Sequence, residues 1–358
     1  MSDLQLDFDF SNTEITRRPQ FPTTRYQGSK RGIVEWIWAH VQTLKFESVL
    51  DVFGGTGAFS YRCKQAGKQV IYNDYLRFNW NIGVALIENT GEVLQDDEIE
   101  SLQQVFPSVS YPRFIESTFS GIYFTAEENV WLDTAAANID HVLTNDYKRA
   151  MARFALFQAC IAKRPYNLFH RANLYMRMAD VKRGFGNKST WDTPFPVHFR
   201  NFVGEVNRAV FDNGQRNVAL QLDAFATPTT ANLVYIDPPY VNGKGIGVDY
   251  REFYHFLEGL ADYANWPQKI DYQSKHRRLL PQKSAWSNSK AIGDSLDKLF
   301  ARHQDSIIVL SYRDDGMPTK NELINLLSRY KTQIREFTLP QKYVLSHQKN
   351  HELLLIAE

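Results

Sequence analysis

The segment 233–240, with the sequence LVYIDPPY, constrains the fold more than any other part of this chain. Its first four residues are apolar or aromatic, which favours a buried strand. Pro238 and Pro239 have no amide hydrogen to donate, so the strand must end before them. Asp237 and Tyr240 therefore stand at the carboxyl end of a strand, where open α/β sheets bind ligands, on a stiff corner that suits a planar amine. An ordinary strand-ending turn is the alternative interpretation.

A strand, a glycine-rich turn and a helix follow one another earlier in the chain. Residues 48–53 predict the strand, the sequence GGTG occupies 54–57, and a helix is expected over 58–65. Glycine permits backbone angles and close approaches that a side chain forbids, and this order of elements opens nucleotide-binding α/β units. The next strand, over 69–73, ends at Asp74, about twenty residues after the turn, where an acid can accept hydrogen bonds from a ribose. Helix capping is the plainer role for that acid.

Strand and helix patterns alternate over most of the chain, which predicts a doubly wound, mixed α/β sheet of the seven-strand type. Further strands are expected at 218–222, 233–236, 306–310, 334–339 and 352–357, and further helices at 33–44, 76–87, 126–141, 146–160, 250–263 and 320–330. The alternation is interrupted over 92–216. We therefore predict one domain formed by 25–91 and 217–358, an inserted and mainly helical domain at 92–216, and a tail at 1–24.

The part of the inserted segment from Lys148 to Arg208 is rich in positive charge, although the whole chain of 358 residues carries a formal net charge of only +1. Between Lys148 and Arg208 there are twelve lysines or arginines and three acids, interleaved with aromatic residues. Such a stretch fits binding to a polyanion, and a solvated basic face is the alternative. A polar loop at 265–286 is too long for a simple connection, and loops of this kind at a sheet edge often close over a substrate.

Composition excludes several other classes of protein. The content of 43% hydrophobic and 23% charged residues is ordinary for a globular chain. Cys63 and Cys160 are the two cysteines, and their separation supports neither a disulfide framework nor a zinc site. No apolar run has the length of a membrane span, and the first ten residues are acidic, unlike a signal peptide. We expect a cytoplasmic protein that binds neither a metal nor a membrane.

Five motifs occur in a fixed order along the chain: RYQGSK at 25–30, DVFGGTG at 51–57, Asp74, Asp223 and DPPY at 237–240. This set resembles the N6-adenine DNA methyltransferases that use S-adenosylmethionine, in the group with a Dam-like order of motifs. The segments 164–177 and 254–263 look similar to FokI-type adenine methyltransferases of type IIS restriction-modification systems. The resemblance covers most of the chain from Arg25 onward and is weakest in the middle, where such enzymes differ according to the sequence they read.

The resemblance implies a Rossmann-like methyltransferase sheet, with 92–216 as the target-recognition domain and S-adenosylmethionine as the cofactor. The residues that it assigns to cofactor binding are Tyr26, Gln27, Gly28, Lys30, Asp51, Phe53, Gly54, Gly55, Thr56, Gly57, Asp74, Asp223 and Ala224. Among these, Lys30 is expected to meet the cofactor's carboxylate, and Asp223 the amino group of its adenine, with capping as the rival role for Asp223. Related enzymes often have Asp-Phe at that point, whereas Ala224 intervenes here before Phe225.

The resemblance also implies double-stranded DNA as the substrate and, for a modification enzyme, a cognate restriction endonuclease as a partner. An amine inside a duplex is reached by turning its base out of the stack, which costs on the order of a few kcal/mol. The cations expected to offset this cost, mainly by contacts with phosphates, lie in the middle segment: Lys163, Arg164, Arg171, Arg177, Lys182 and Arg183.

Catalysis is expected at Asp237, Pro238, Pro239 and Tyr240. The lone pair of an adenine amine is delocalised into the ring, so a site that accepts both amine hydrogens frees that lone pair. The Asp237 carboxylate and the Pro238 carbonyl suit this role, Tyr240 can stack on the base, and Pro239 keeps the corner rigid. Methyl transfer is then direct, with positioning and charge complementarity contributing most of the acceleration, and needs neither a metal nor a covalent intermediate.

Other functions remain as alternatives. Methylation of an RNA adenine can use the same corner on the same fold, although the large insertion favours DNA. A non-catalytic DNA-binding protein on this fold would be expected to have a degenerate corner, whereas the corner and the glycine turn are both intact. A dinucleotide-dependent oxidoreductase fits less well, because Ser60 stands where the third glycine of G-x-G-x-x-G belongs. A cytosine-N4 methyltransferase more often has serine in place of Asp237.

Overall fold

The computed structural model describes residues 19–179, 188–341 and 350–358. The strands in these ranges are β1 (Ser48–Asp51), β2 (Gln69–Asn73), β3 (Val218–Leu220), β4 (Leu233–Ile236), β5 (Ile307–Arg313), β6 (Ile334–Gln341) and β7 (Asn350–Ala357). The helices are α1 (Val34–Val41), α2 (Ala58–Gln65), α3 (Arg77–Gly83), α4 (Asp96–Ser101), α5 (Phe114–Thr118), α6 (Ala126–Val142), α7 (Asp146–Ala162), α8 (Leu174–Met178), α9 (Lys188–Asp192), α10 (Phe195–Ala209), α11 (Tyr250–Phe253), α12 (His255–Leu260), α13 (Ile292–Arg302) and α14 (Lys320–Leu327). A π-helix, Val84–Glu88, continues α3, and the 3-10 helices are Lys30–Gly32, Pro165–Asn167, Ala224–Ala226 and Tyr263–Lys269.

These seven strands form one sheet in the order β3-β2-β1-β4-β5-β7-β6. The first five strands in this order are parallel, and β7 runs antiparallel between β5 and β6. The predicted mixed, doubly wound α/β sheet of the seven-strand type is therefore confirmed. Within the described ranges, no helix combines the length and the apolar content that crossing a bilayer would require.

Both faces of the sheet are covered, as the residues of β4 demonstrate. Leu233 and Tyr235 belong to one hydrophobic cluster, whereas Val234 and Ile236 belong to a second cluster. Successive side chains of a strand point to opposite faces, so these two clusters lie on the two sides of the sheet. A parallel strand that is buried on both faces reads as a continuous apolar run, which explains the sequence before Asp237.

The order of strands places the two main motifs side by side. After β1 the chain adds β2 and β3 on one side of that strand, and it then crosses to add β4 and β5 on the other side. Ligands of open α/β sheets bind at the carboxyl ends of the strands where the order reverses in this way. Asp51 at the end of β1 pairs in register with Tyr235 of β4, so the glycine turn and the Asp237 corner are neighbours.

The segment 92–216 contains helices α4 to α10, and five of them (α4, α5, α6, α7 and α10) share a hydrophobic cluster with the sheet. Phe157 in α7 contacts Phe78 in α3, with ring centroids 6.0 Å apart. The Tyr61 hydroxyl in α2 donates a hydrogen bond to the carbonyl of Ala209 at the end of α10, over 2.7 Å. Part of the segment therefore packs as a layer of the main core, and its predicted role in recognising a DNA target stays a prediction.

Some helices differ from the sequence-based expectation. Helices α10 and α13 had not been expected, although Ile292, Leu296 and Leu299 recur at helical spacing in α13. The helix expected over 250–263 is two helices, because Tyr254 between them has a φ of −118° and leaves the helical conformation. Of the predicted tail, residues 1–18 lie outside the described ranges.

Candidate functional site

One cavity of about 280 Å³ lies at the carboxyl ends of β1 and β4. Its lining includes most of the predicted site residues, namely Tyr26, Gly28, Lys30, Asp51, Phe53, Gly54, Gly55, Thr56, Asp74, Asp223, Ala224, Asp237, Pro238, Pro239 and Tyr240. Gln27 and Gly57 are not part of the lining. The backbone amide of Gln27 donates to the Tyr254 hydroxyl over 2.8 Å, and Gly57 begins α2 with a φ of 74°. The glycine turn and the Asp237 corner border the same space.

The glycine turn packs tightly against Tyr72 of β2. A Cβ atom on Gly54 would lie 2.1 Å from a ring atom of Tyr72, and the Tyr72 hydroxyl donates to the Gly55 carbonyl over 2.8 Å. Gly55 has a φ of 52°, in the left-handed region that favours glycine. At Gly54, packing against Tyr72 therefore requires glycine, and the predicted contact of Gly54 with a cofactor stays a prediction.

Asp51 places a buried carboxylate in the lining. Ser60 donates a hydrogen bond to Oδ2 over 2.6 Å, whereas Oδ1 is buried with no hydrogen-bond partner in the described structure. Burial raises the pKa of Asp51 to about 7. The hydrogen bond from Ser60 and the nearby backbone amide of Phe53 oppose the rise, and the charges of Asp237 and Asp74 add to it. A buried acceptor without a donor is costly, so Oδ1 is a candidate contact for a ligand.

Asp74 and Asp223 both make local contacts with backbone amides. The Asp74 carboxylate accepts hydrogen bonds from the amides of Gly55 (2.9 Å) and Leu76 (2.8 Å). Burial nevertheless raises the pKa of Asp74 to about 6. Asp223 is exposed and accepts from the amide of Phe225 over 2.9 Å. Asp223 thus caps the short helix Ala224–Ala226, whereas Asp74 holds the turn before α3 without capping that helix. Both acids also border the cavity, and their contact with a ligand stays a prediction.

Trp286 is a residue of the lining that the sequence interpretation missed. Its indole meets the Phe53 ring edge-on, with centroids 4.8 Å apart, and stacks with Phe225 at 5.3 Å. All three rings border the cavity, including Phe225, although Ala224 separates it from Asp223. The available signal was a large aromatic residue at the end of a polar loop, because such residues seldom remain in solvent.

The end of the 265–286 loop forms one wall of the cavity, to which Gln282, Lys283 and Ser284 contribute. The Gln282 amide donates a hydrogen bond over 2.7 Å to the hydroxyl of Tyr75, which follows β2. This contact ties the loop to the carboxyl end of the sheet. The predicted closure of the loop over a substrate stays a prediction.

The Asp237 corner contains a buried ion network. The Lys30 ammonium lies 3.0 Å from Asp237 Oδ1 and 2.9 Å from Glu352 Oε1. The Tyr240 hydroxyl donates to Asp237 Oδ1 over 2.8 Å, lies 3.3 Å from Glu352 Oε1 and contacts Lys30. The Ser311 hydroxyl donates to Glu352 Oε1 over 2.6 Å. Lys30 was expected to meet a cofactor carboxylate, and in this structure its partners are two carboxylates of the protein itself.

The network sets the protonation of its members. Burial raises the pKa of Asp237 to about 6, while Lys30 opposes the rise and Glu352 adds to it. Burial alone would lower the pKa of Lys30, but Asp237 and Glu352 outweigh burial and raise it. At neutral pH the site therefore holds a Lys30 ammonium beside an Asp237 that is mainly a carboxylate.

Three of the cations expected to contact DNA lie inside the protein. Lys163 and Arg164 are 1% exposed and Arg177 is 6% exposed. Glu128 of α6 lies 2.9 Å from the Lys163 ammonium and 2.7 Å from the Arg177 guanidinium. The Arg164 guanidinium donates to backbone carbonyls of the segment that follows it. These three side chains are therefore engaged inside the protein in this structure, and their predicted contact with phosphates stays a prediction that the burial does not favour.

The remaining predicted DNA contacts divide into two groups. Arg171 is exposed, whereas Lys182 and Arg183 lie outside the described residues. Lys283, from the loop that forms a wall of the cavity, is another exposed cation and lies in the lining itself.

In the portion of the chain that the structure describes, no three His, Cys, Asp or Glu side chains are grouped so that they could hold a metal ion.

Comparison with known proteins identifies the relatives of this chain. The family model for the D12 class N6 adenine-specific DNA methyltransferase matches residues 26–303. The type II methyltransferase M2.HphI of Haemophilus parahaemolyticus is 29% identical over 353 residues, which cover 95% of this chain and 98% of that protein. The type II methyltransferase M.FokI of Planomicrobium okeanokoites is 22% identical over 358 residues, which cover 91% of this chain and 50% of that protein. M.NlaIII of Neisseria lactamica, also a type II methyltransferase, is 20% identical over 342 residues, covering 91% of this chain and 96% of that protein.

Proposed function

The chain belongs to the D12 class N6 adenine-specific DNA methyltransferases, and from that premise we propose that it transfers a methyl group from S-adenosylmethionine to N6 of an adenine at a specific DNA sequence. It is an enzyme that modifies DNA. One feature carries the proposal furthest: a single cavity joins the glycine turn after β1 to the Asp237 corner after β4. A methyl donor and an acceptor base could therefore meet in one space.

The lining fits S-adenosylmethionine at its glycine-turn end. Asp51 Oδ1 is a buried acceptor that lacks a donor, and a cofactor amino or hydroxyl group would satisfy it. Phe53, Phe225 and Trp286 form an apolar wall on which a planar base can stack. Asp74, already held by the Gly55 amide, borders the same space. When bound, the cofactor supplies a methyl group made electrophilic by a sulfonium.

The Asp237 corner fits an adenine amine. The Asp237 carboxylate and the Pro238 carbonyl would accept the two amine hydrogens and so raise the electron density on N6. Asp237 accepts from Lys30 and Tyr240 at Oδ1, and 15% of its side chain stays exposed in a cavity-lining position. The nitrogen must lose one proton when it gains a methyl group, and a carboxylate whose pKa is about 6 is a suitable acceptor near neutral pH.

The substrate adenine would be turned out of the DNA duplex into this cavity. With Lys163, Arg164 and Arg177 inside the protein, the phosphate contacts fall to exposed cations such as Arg171 and Lys283. The relatives M2.HphI and M.FokI are named type II methyltransferases, and we propose that this chain is likewise the modification partner of a restriction endonuclease.

The decisive experiment measures transfer of labelled methyl from S-adenosylmethionine to unmethylated duplex DNA of mixed sequence, with structured RNA as a parallel substrate. Nucleoside analysis should find N6-methyladenine in the DNA digest and no label in RNA. Label in RNA alone would replace the proposal with RNA adenine methylation, and label in N4-methylcytosine would replace the target base. Methylated DNA should then resist cleavage at the modified site by the cognate endonuclease.

A further inference from the structure

Glu352 is a buried acid for which the fold alone gives no reason. It is 1% exposed, lies on β7 and is followed by the apolar residues 353–357, which all belong to the hydrophobic clusters of the two sheet faces. Its Oε1 atom has the Lys30 ammonium at 2.9 Å, the Ser311 hydroxyl at 2.6 Å and the Tyr240 hydroxyl at 3.3 Å. Three polar groups thus converge on one carboxylate oxygen.

A contribution to the stability of the fold does not explain why Glu352 is buried here. Taking a carboxylate out of water carries a large desolvation penalty, and apolar residues of similar volume often replace a buried ion pair without loss of stability. The network has one cation for two acids, because Lys30 serves both Asp237 and Glu352. Because Glu352 is a second acid beside a single lysine, we look for its role in the interaction between the Lys30 ammonium and the Asp237 carboxylate.

We propose that Glu352 is a positioning residue: by sharing the Lys30 ammonium, it fixes Lys30, and through Lys30 the carboxylate of Asp237 and the hydroxyl of Tyr240, in the arrangement that methyl transfer requires. The inference rests on the proposed function of the Asp237 corner. Without Glu352 as a carboxylate, Lys30 would pair with Asp237 alone and would compete with the substrate amine for its lone pairs. Glu352 does not border the cavity, so it acts on the substrate through Lys30, which contacts both Asp237 and Tyr240.

The charges around Asp237 give the arrangement a pH signature. The groups that face Asp237 are the Lys30 ammonium, the Glu352 carboxylate and the Tyr240 hydroxyl, together with Tyr235 of β4 itself and Asp51 of the neighbouring strand β1. Burial is the main cause of its raised pKa, Lys30 lowers this pKa, and Glu352 raises it. Replacing Glu352 by a neutral residue removes a negative neighbour, so the pKa of Asp237 should fall. The acid limb of kcat, which needs Asp237 as a carboxylate, should move to lower pH.

The test compares Glu352→Gln, Lys30→Met and the double variant with the unmodified protein. Glu352→Gln keeps the size of the side chain and should lower kcat about 10- to 100-fold, as expected for misplaced reacting groups, with KM values for DNA and S-adenosylmethionine within about twofold. Because Glu352 acts through Lys30, the double variant should be no slower than Lys30→Met alone. If kcat of the double variant fell by the product of the two single-variant losses, the proposal would be overturned. An unchanged kcat in Glu352→Gln would also overturn it.

A matched control separates positioning from folding. Glu336→Gln makes the same change on the neighbouring strand β6, at a half-exposed glutamate paired with Lys320, and should leave kcat unchanged. If Glu352→Gln does not fold, Ser311→Ala removes one donor to Glu352 and keeps every charge of the network. That variant should lower kcat by about three- to tenfold, consistent with the loss of one hydrogen bond to a charged group. A kcat equal to that of the unmodified protein would overturn the proposal.

A second measurement needs no catalytic activity. The side-chain carboxyl carbon of Asp237, labelled with ¹³C and assigned with Asp237→Asn, is titrated by NMR in the unmodified protein and in Glu352→Gln. The midpoint should move to lower pH in Glu352→Gln, and equal midpoints would overturn the proposal. If the unmodified protein failed to methylate DNA, the proposed function would fall, while this titration would still decide whether Glu352 controls Asp237.

Discussion

The cavity lining and the interior of the middle segment both contain many ionisable side chains, yet they use them in opposite ways. In the lining, Asp51 keeps a buried oxygen without a donor, and burial raises the pKa of both Asp51 and Asp237. In the middle segment, Lys163 and Arg177 share the carboxylate of Glu128. The first region holds polar groups in a state that favours a ligand, and the second uses them to join helices.

This difference shows how polar groups at a site can be told from polar groups that build the fold. A buried group with internal partners contributes to architecture, because its hydrogen bonds are already made. A buried group that borders a cavity and either lacks a partner or has a displaced pKa is a candidate for function. Arg164 Nη1 and Arg177 Nε also lack a partner in the described structure, but neither residue lines the cavity. The stretch 148–208 has the larger excess of positive charge along the sequence, but the lining has the charged groups that a ligand can reach.

The largest expected effect comes from Asp237→Ala. Loss of the acceptor for the amine hydrogens should reduce methyl transfer by at least about 1,000-fold, within the range for a positioned acid-base group. Lys30 retains Glu352 as a partner, so the dissociation constant for S-adenosylmethionine, measured by calorimetry, should stay within about threefold. If cofactor binding and activity were lost together, Asp237 would have a structural role. The cavity lining would then use its buried acids as the middle segment does.

Glu128→Ala should have the next largest effect, on stability. It leaves Lys163 and Arg177 buried without their carboxylate, and breaking a buried pair in this way should lower the free energy of unfolding by about 3 kcal/mol. Urea denaturation followed by fluorescence measures the change. Glu127→Ala alters an exposed acid of the same helix and should change stability by less than about 0.5 kcal/mol. Equal stability of the two variants would contradict the internal role of these cations.

Trp286→Ala sharpens the comparison on the cavity side. Removing the indole that contacts Phe53 and Phe225 should weaken binding of S-adenosylmethionine about tenfold, as expected for the loss of one aromatic stack and its buried area. Tyr272→Ala, at an aromatic residue of the same loop that is 55% exposed, is the matched control and should leave the affinity unchanged. Equal affinities for the two variants would remove Trp286 from the proposed cofactor site.

Arg171→Ala should have the smallest effect. As an exposed cation of the middle segment, Arg171 should contribute one phosphate contact, so its loss should weaken DNA binding about fivefold and reduce the slope of log affinity against log salt by about one. Lys298→Ala, at an exposed cation of α13, serves as the control. If both variants bind DNA like the unmodified protein at several salt concentrations, the DNA surface lies elsewhere.

The sequence predicted those features whose cause is local. Pro238 and Pro239 have no amide hydrogen to donate, so β4 ends before Asp237, and the glycine turn comes soon after β1. The sequence alone therefore places both motifs at the carboxyl edge of the sheet. The alternation of strands and helices likewise predicted the sheet. Each of these predictions depends on backbone restrictions or periodicity within a few residues.

Other features depend on contacts between distant parts of the chain. Glu352 reaches Lys30 only because β7 inserts between β5 and β6, which no local pattern specifies. The burial of Lys163 depends on its meeting Glu128 of another helix, and a count of charges along the sequence treats a buried lysine like an exposed one. The available signal at Glu352 was a single acid directly before the apolar run 353–357, because a buried acid is seldom found without a partner.

The position of Glu352 late in the chain has a consequence for the synthesis of the protein. A chain emerging from the ribosome presents the glycine turn and the Asp237 corner long before β7, which must then insert between two strands already made. On our proposal, the Lys30 network is completed only at that step. A nascent chain or a fragment that stops before β7 would display the cavity residues yet leave DNA unmodified, so methylation in the cell would begin only with chains that have incorporated β7.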